Sequence, residues 1–196
     1  MRLEDGSTHE RLRLEGGSLE GARGVTVAGG VLRSVSLAGS EFRMLQLRDV
    51  LLDQCDLSNS GWEACTMEGA VLSGCRLTGF RLEGGRAVGL VVRGCLARYL
   101  QLTGVRLEGA RFEDSDLSEA SITGCRLAHS IFVRTRLRGA VLAGSRLEFA
   151  DLRGCDIEDL RAGLEELDRA TLDPDQAAAL LRGLAGIRVR APEPPA

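Results

Sequence analysis

A chain of 196 residues with 25 Arg, 28 acids, no Lys and a net charge of −3 has no basic footprint for nucleic acid. Its 44% hydrophobic content suits one domain with a sizeable core, yet with only 4% aromatics that core must be built of small and aliphatic side chains. The start, "MRLEDGSTHERLRLEGG", lacks the apolar run of a signal peptide, and the longest mostly apolar stretch, "AAALLRGLAGI", is too short to span a bilayer, so the expected location is the cytoplasm.

Residues 1–24 come first. Leu14 and Leu19 stand five apart, in a register offset from everything that follows. Two readings fit: a first coil joined out of register, or a cap over an open end.

From residue 25 to residue 172 the chain counts in fives. Every position ending in 2 or 7 from Val27 to Leu172 is apolar, mostly Leu, with Phe42, Trp62, Met67, Ile122 and the small Ala87, Ala97 and Ala162 among them. At this hydrophobic content the odds of 30 such matches are on the order of 10⁻¹¹, so the register is real. Positions two before each centre carry no charge from Val25 to Leu160. Glycine recurs two after the centre, as at Gly69, Gly74, Gly79, Gly84 and Gly89.

A period of five defeats ordinary elements. On a helix, successive centres would circle the axis. On a strand, an odd repeat puts successive centres on opposite faces. All centres reach one core only if the chain turns a corner in each repeat, and glycine accepts the dihedrals of such a corner. That predicts an all-β solenoid whose coils pair through backbone hydrogen bonds. Residues twenty apart match in kind, which predicts four sides. Arg86, Arg106, Arg126 and Arg146 form one such column, Cys55, Cys75 and Cys95 another, and Val31, Leu51, Val71, Val91 and Ile131 a third.

Each column carries an expectation. The six cysteines all sit two before a centre, where a buried thiol replaces Ala or Ser. No zinc spacing, Walker loop or nucleophile elbow occurs, and the only histidines are His9 and His129, so the expectation is no enzyme, no cofactor and no metal. Glu68, Glu108 and Glu148 flank the Arg column, which reads as a solvated, charge-balanced face rather than a phosphate site. Val31, Leu51, Val71, Val91 and Ile131 point outward, so this apolar strip is a candidate interface or a face covered by residues 1–24. Glu113, Asp114, Asp116 and Glu119 cluster, and acids crowd again at Asp151, Asp156, Glu158, Asp159, Glu165, Glu166 and Asp168. These form a candidate acidic partner surface.

At the C-terminal end, residues 173–189 read as a helix with a short extension. Asp173 suits an N-cap, Pro174 the first helical position, and Gln176 the third residue of a capping box. Leu180, Leu181, Leu184, Ile187 and Val189 supply an apolar surface that caps the last coil, dimerises, or does both. Residues 190–196, "RAPEPPA", read as a disordered tail.

"ADLRG" at Ala150–Gly154, with "CDLSN", "SDLSE" and "VRLEG", resembles the pentapeptide repeat proteins. The resemblance implies a right-handed quadrilateral β-helix. In its unbroken coils and its ending "LDPDQAAALLRGLAGIRV" the chain is similar to the mycobacterial fluoroquinolone-resistance members. These present acids to DNA gyrase or topoisomerase IV as a DNA mimic and often dimerise through a C-terminal helix. The resemblance therefore implies a non-catalytic protein-binding rod acting on gyrase, with no direct nucleic-acid or membrane binding. The alternative is an interaction scaffold with no gyrase role.

Overall fold

The computed structural model describes residues 3–185, the last two by backbone alone. The described residues form a parallel β-solenoid closed at one end by a helix, α1 (Pro174–Ala185). Register partners lie twenty residues apart, as in Val91↔Val71, Gln101↔Arg81 and Arg106↔Arg86. Four sides per coil follow, since each rung returns to its column after four repeats of five.

The first face carries the centres Leu47, Met67, Ala87 and Leu107, the second Leu52, Leu72, Val92 and Phe112, the third Leu57, Leu77, Ala97 and Leu117, and the fourth Trp62, Leu82, Leu102 and Ile122. One ten-stranded sheet spans the first two faces, because β1 (Thr8–Glu15), β2 (Thr26–Arg33) and a longer strand, Gln46–Asp53, each turn the corner between them. A five-stranded sheet forms the fourth face, and single bridges such as Ser36↔Asp56 and Arg76↔Leu96 hold the third.

The corners do not depend on glycine. From Gly29 to Asp159 every residue two after a centre has positive φ, including Ser34, Asn59, Ala64, Tyr99, His129 and Phe149. Parallel pairing to the coils on either side imposes the left-handed conformation even on side chains that disfavour it.

Residues 8–15 are a coil of the solenoid. β1 pairs with β2 at an offset of eighteen residues, Thr8↔Thr26 to Glu15↔Arg33. By Arg23↔Arg43 the offset is twenty, so the chain drops two residues at the turn through Gly21. A Cβ on Gly21 would run into the Glu41 backbone, which explains why glycine sits at this shortened corner.

The core runs along the axis as one column of packed layers. The stretch 80–100 trades sizes: its centres Ala87 and Ala97 are small, while Phe80, Leu90 and Leu100 fill the inward position two before a centre. Phe80 packs edge-on against Trp62, 5.2 Å between centroids, and Phe42 does the same from below at 5.7 Å. Among the described residues no helix is long and apolar enough to cross a membrane.

Candidate functional site

Among the described residues, eight ion pairs join outward side chains one coil apart: Arg33–Asp53, Arg43–Glu63, Arg48–Glu68, Arg76–Asp56, Arg93–Glu113, Arg134–Asp114, Arg136–Asp116 and Arg138–Glu158. A parallel rung places such residues side by side, and opposite charges there replace repulsion with attraction.

This pairing divides the predicted acids into two sets. Glu113 accepts from Arg93 at 2.7 Å and from Arg111 at 2.8 Å, and the two guanidiniums hold its carboxyl below the usual range. Asp114 lies 2.6 Å from Arg134, which lowers its pKa in the same way. Asp116 is half-buried. Burial opposes its charge, but the Ser118 hydroxyl and backbone N–H and Arg136 outweigh that and lower its pKa. Asp151 is held by Arg153, Glu158 by Arg138, and Asp168 lies 3.8 Å from Arg169. Glu119, Asp156, Asp159, Glu165 and Glu166 have no cation within ion-pair distance among the described residues.

Glu166 has another task. Its carboxylate accepts the Gly144 N–H at 2.9 Å and the Gly163 N–H at 2.8 Å, and these bonds lower its pKa. Gly124 N–H, one coil earlier, uses the Ala143 carbonyl for the same purpose. A side chain thus stands in for the carbonyl of an absent coil.

Asp173 does likewise, and here the sequence reading needs correction. The sequence suits its side chain to capping α1. Instead it accepts the Gly154 N–H, 2.6 Å away, because the last coil leaves that donor open. Gln176 fills the capping-box role, accepting the Asp173 N–H at 2.7 Å, while its amide donates to Leu152 O at 2.8 Å and Cys155 O at 2.9 Å.

The apolar strip lies half-buried on the second face. Val31, Leu51, Val71 and Val91 are consecutive rungs, Arg111 interrupts, and Ile131 follows. Residues 8–15 do not cover it, because Arg13 extends the same column below Val31. A shallow groove of about 450 Å³ runs along its lower half, between Arg11, Arg13 and Asp49.

The Arg column stacks as expected, Arg86↔Arg106↔Arg126↔Arg146, but the flanking acids reach only one member, Arg86, through Glu108 at 3.7 Å. Of the predicted cap surface, Leu180 packs against the core and Leu181 is exposed; the Leu184 side chain, Ile187, Val189 and the tail 190–196 lie outside the described residues.

Two exposed rings escaped the sequence reading. Phe149 stacks on His129 at 5.2 Å with Arg169 over its other side, and Tyr99 carries Arg98. The available signal was a bulky residue at a corner position where glycine is common.

Among the described residues no three His, Cys, Asp or Glu side chains gather as a metal site. A cleft of about 870 Å³ lies between the last coil and α1, lined by Val141, Leu160, Ala162 and Leu180, the carboxylates of Glu119 and Asp159, and Arg161 and Arg182.

The sequence pattern of the family "Pentapeptide repeats" matches in eight copies, over residues 46–84, 98–132 and 120–159. No curated protein matches the chain in sequence. Among solved structures, HetL, a pentapeptide repeat protein involved in heterocyst differentiation regulation from the cyanobacterium Nostoc sp. strain PCC 7120, is 17% identical, with a TM-score of 0.53 over 86% of this chain and 90% of that one. A trypsin-treated form of QnrB1, a plasmid-mediated fluoroquinolone resistance protein, is 18% identical, with a TM-score of 0.46 over 93% of this chain and 100% of that one. At these identities HetL supports the fold alone.

Proposed function

The chain belongs to the pentapeptide repeat family, and from that premise we propose that it is a non-catalytic, cytoplasmic rod that binds a protein through its acidic C-terminal end. The observation that carries this reading is the contrast between two groups of carboxylates. Glu113, Asp114 and Asp116 are matched by arginines, whereas Asp156, Asp159 and Glu165 are exposed with no cation within ion-pair distance among the described residues. Unmatched charge at one end attracts a basic surface and steers its approach.

The partner proposed is DNA gyrase or topoisomerase IV, with rod carboxylates occupying the place of DNA phosphates. The support is the resemblance to gyrase-binding family members together with this acidic end. Mimicry is confined to that end, because arginines neutralise the middle of the rod.

The test is binding to cognate gyrase at two salt concentrations, with a supercoiling assay beside it. Raising salt from about 50 to 200 mM is expected to weaken binding about tenfold or more. Asp156→Lys/Asp159→Lys/Glu165→Lys is expected to abolish inhibition of supercoiling, while Glu113→Gln/Asp114→Asn leaves it intact. No salt-sensitive binding and no inhibition by the wild-type chain would reject gyrase as the partner.

The half-buried Val31–Val91 strip favours the second reading, an interaction scaffold working through the second face. Partner capture lost in Leu51→Glu/Val91→Glu but kept in the acidic-end variant would establish it.

A further inference from the structure

The end of a solenoid leaves one row of backbone groups without a next coil, and the faces of this one are closed unequally. On the first face, Glu166 O accepts Leu147 N–H at 3.0 Å. On the second, Thr171 adds a last bridge, donating to Ala150 O at 2.8 Å and accepting from Leu152 N–H at 3.0 Å. Gln176 takes Cys155 O at the start of the third.

The fourth face ends differently. Its rungs follow one rule: Val141 N–H donates to Ala120 O and Val141 O accepts from Ile122 N–H, both at 2.8 Å, and Arg161 repeats this against Ala140 O and Leu142 N–H. The next rung would accept from Ala162 N–H and donate to Leu160 O. Among the described residues neither group has a hydrogen-bond partner, nor has Ile157 N–H on the adjoining face. An unpaired backbone group facing a cleft costs free energy unless water or a partner satisfies it, and such an edge is a template for another strand.

The open edge lines the 870 Å³ cleft beneath α1. Val141, Leu160, Ala162 and Leu180 give it aliphatic walls; four carboxylates, Glu119, Glu158, Asp159 and Glu166, line it against two arginines, Arg161 and Arg182, and Glu119 and Asp159 have no cation within ion-pair distance among the described residues. The cleft opens on the end where nine acids face three arginines between residues 151 and 175.

We propose that this cleft is a strand-addition site, taking an extended segment of a protein partner in which basic residues alternate with small aliphatic ones. The segment's backbone pairs with Leu160 O and Ala162 N–H, its aliphatic side chains lie over Ala162 and Leu180, and its basic side chains meet Glu119 and Asp159. Strand addition of this kind draws affinity from main-chain bonds and specificity from alternate side chains. The site goes beyond the electrostatic contact proposed above and does not depend on the partner being a topoisomerase.

A fluorescein-labelled Arg-Val-Arg-Val-Arg peptide and its fully N-methylated counterpart, equal in charge, test it on the full-length protein. The first is expected to bind, the second about tenfold or more weaker. Hydrogen exchange at the Ala162 amide is expected to slow when the first peptide is bound. Ala179→Trp, which fills the cleft from the exposed side of α1, is expected to abolish binding with the melting temperature unchanged. Equal binding of both peptides, or full binding by Ala179→Trp, would overturn the proposal. So would a concentration-dependent dimer that the peptide dissolves, which assigns the cleft to a second copy. Affinity that rises tenfold in Arg188→Glu/Arg190→Glu would likewise overturn it, assigning the cleft to the chain's own end.

Discussion

Cys55, Cys75 and Cys95 each direct a thiol at a carbonyl 23 residues earlier, Leu32 O at 3.2 Å, Leu52 O at 3.3 Å and Leu72 O at 3.5 Å. Ser115 and Thr135 continue the column with the same bond, to Val92 O and Phe112 O, and Cys155 resumes it with Phe132 O. The position asks for a small side chain carrying one donor, and thiol or hydroxyl serves. All six cysteines are buried and unbridged, and burial pushes the Cys65 thiol up to about 11. Only thiolate reacts quickly. Cys95 is shifted the other way, lowered by the Cys75 thiol, but it is as buried as the rest, so a thiol reagent at pH 8 is expected to titrate fewer than about one group in the native chain and six after unfolding. Rapid reaction of several thiols in the native state would contradict the packing. This column was legible in the sequence, since spacing alone put the cysteines inward. The donor role was not, because it depends on carbonyls that only coiling brings near.

At the scale of elements, the two ends solve one problem by different means. β1 closes the first coil as an edge strand carrying Glu10, Arg11, Arg13 and Glu15, and such charges discourage further pairing. The other end uses α1, and Gln176 is the residue that fastens it. Its amide satisfies two carbonyls of the last coil while its oxygen caps the helix. Gln176→Ala leaves these groups unpaired in a buried position and is expected to cost about 1–3 kcal/mol in thermal or denaturant unfolding. Gln176→Glu keeps the cap acceptor but faces the same carbonyls with a charge, and is expected to cost at least as much. A loss below about 0.5 kcal/mol in both would show that Gln176 does not fasten α1 to the last coil. The helix and its capping glutamine could be read from "LDPDQAAALL". The side-chain partner of Asp173 could not, because Gly154 lies 19 residues away.

The whole rod is laced by exposed ion pairs from coil to coil. Each is worth only about 0–1 kcal/mol, so none decides the fold. Together they give stability a pH dependence whose sign is fixed. Arg93 and Arg111 lower the pKa of Glu113, Arg134 that of Asp114, and Arg153 that of Asp151. A carboxyl whose pKa is depressed by folding contributes stability above its unfolded value, near 4, and loses it as pH falls through the folded value. The melting temperature is expected to hold level from about pH 7 to 5 and to fall below about pH 4. Glu113→Gln is expected to begin lower and fall less steeply. A melting temperature that rises on acidification would refute the assignment of these pairs.

The solenoid, its four sides and its inward columns follow from the residue pattern, because a five-residue period repeats the same local demand dozens of times. Tertiary structure alone decided which carboxylates remain available to a partner. Asp114 and Asp159 fill the same position of the repeat, yet one lies 2.6 Å from a guanidinium and the other has none within ion-pair distance among the described residues. That difference arises between residues a coil apart, where side chains meet only after the chain has turned four corners. The open rung at Leu160 and Ala162 belongs to the same class of fact. Backbone hydrogen bonding is blind to side-chain identity, so an edge left unpaired becomes visible only when the coil that should cover it gives way to a helix.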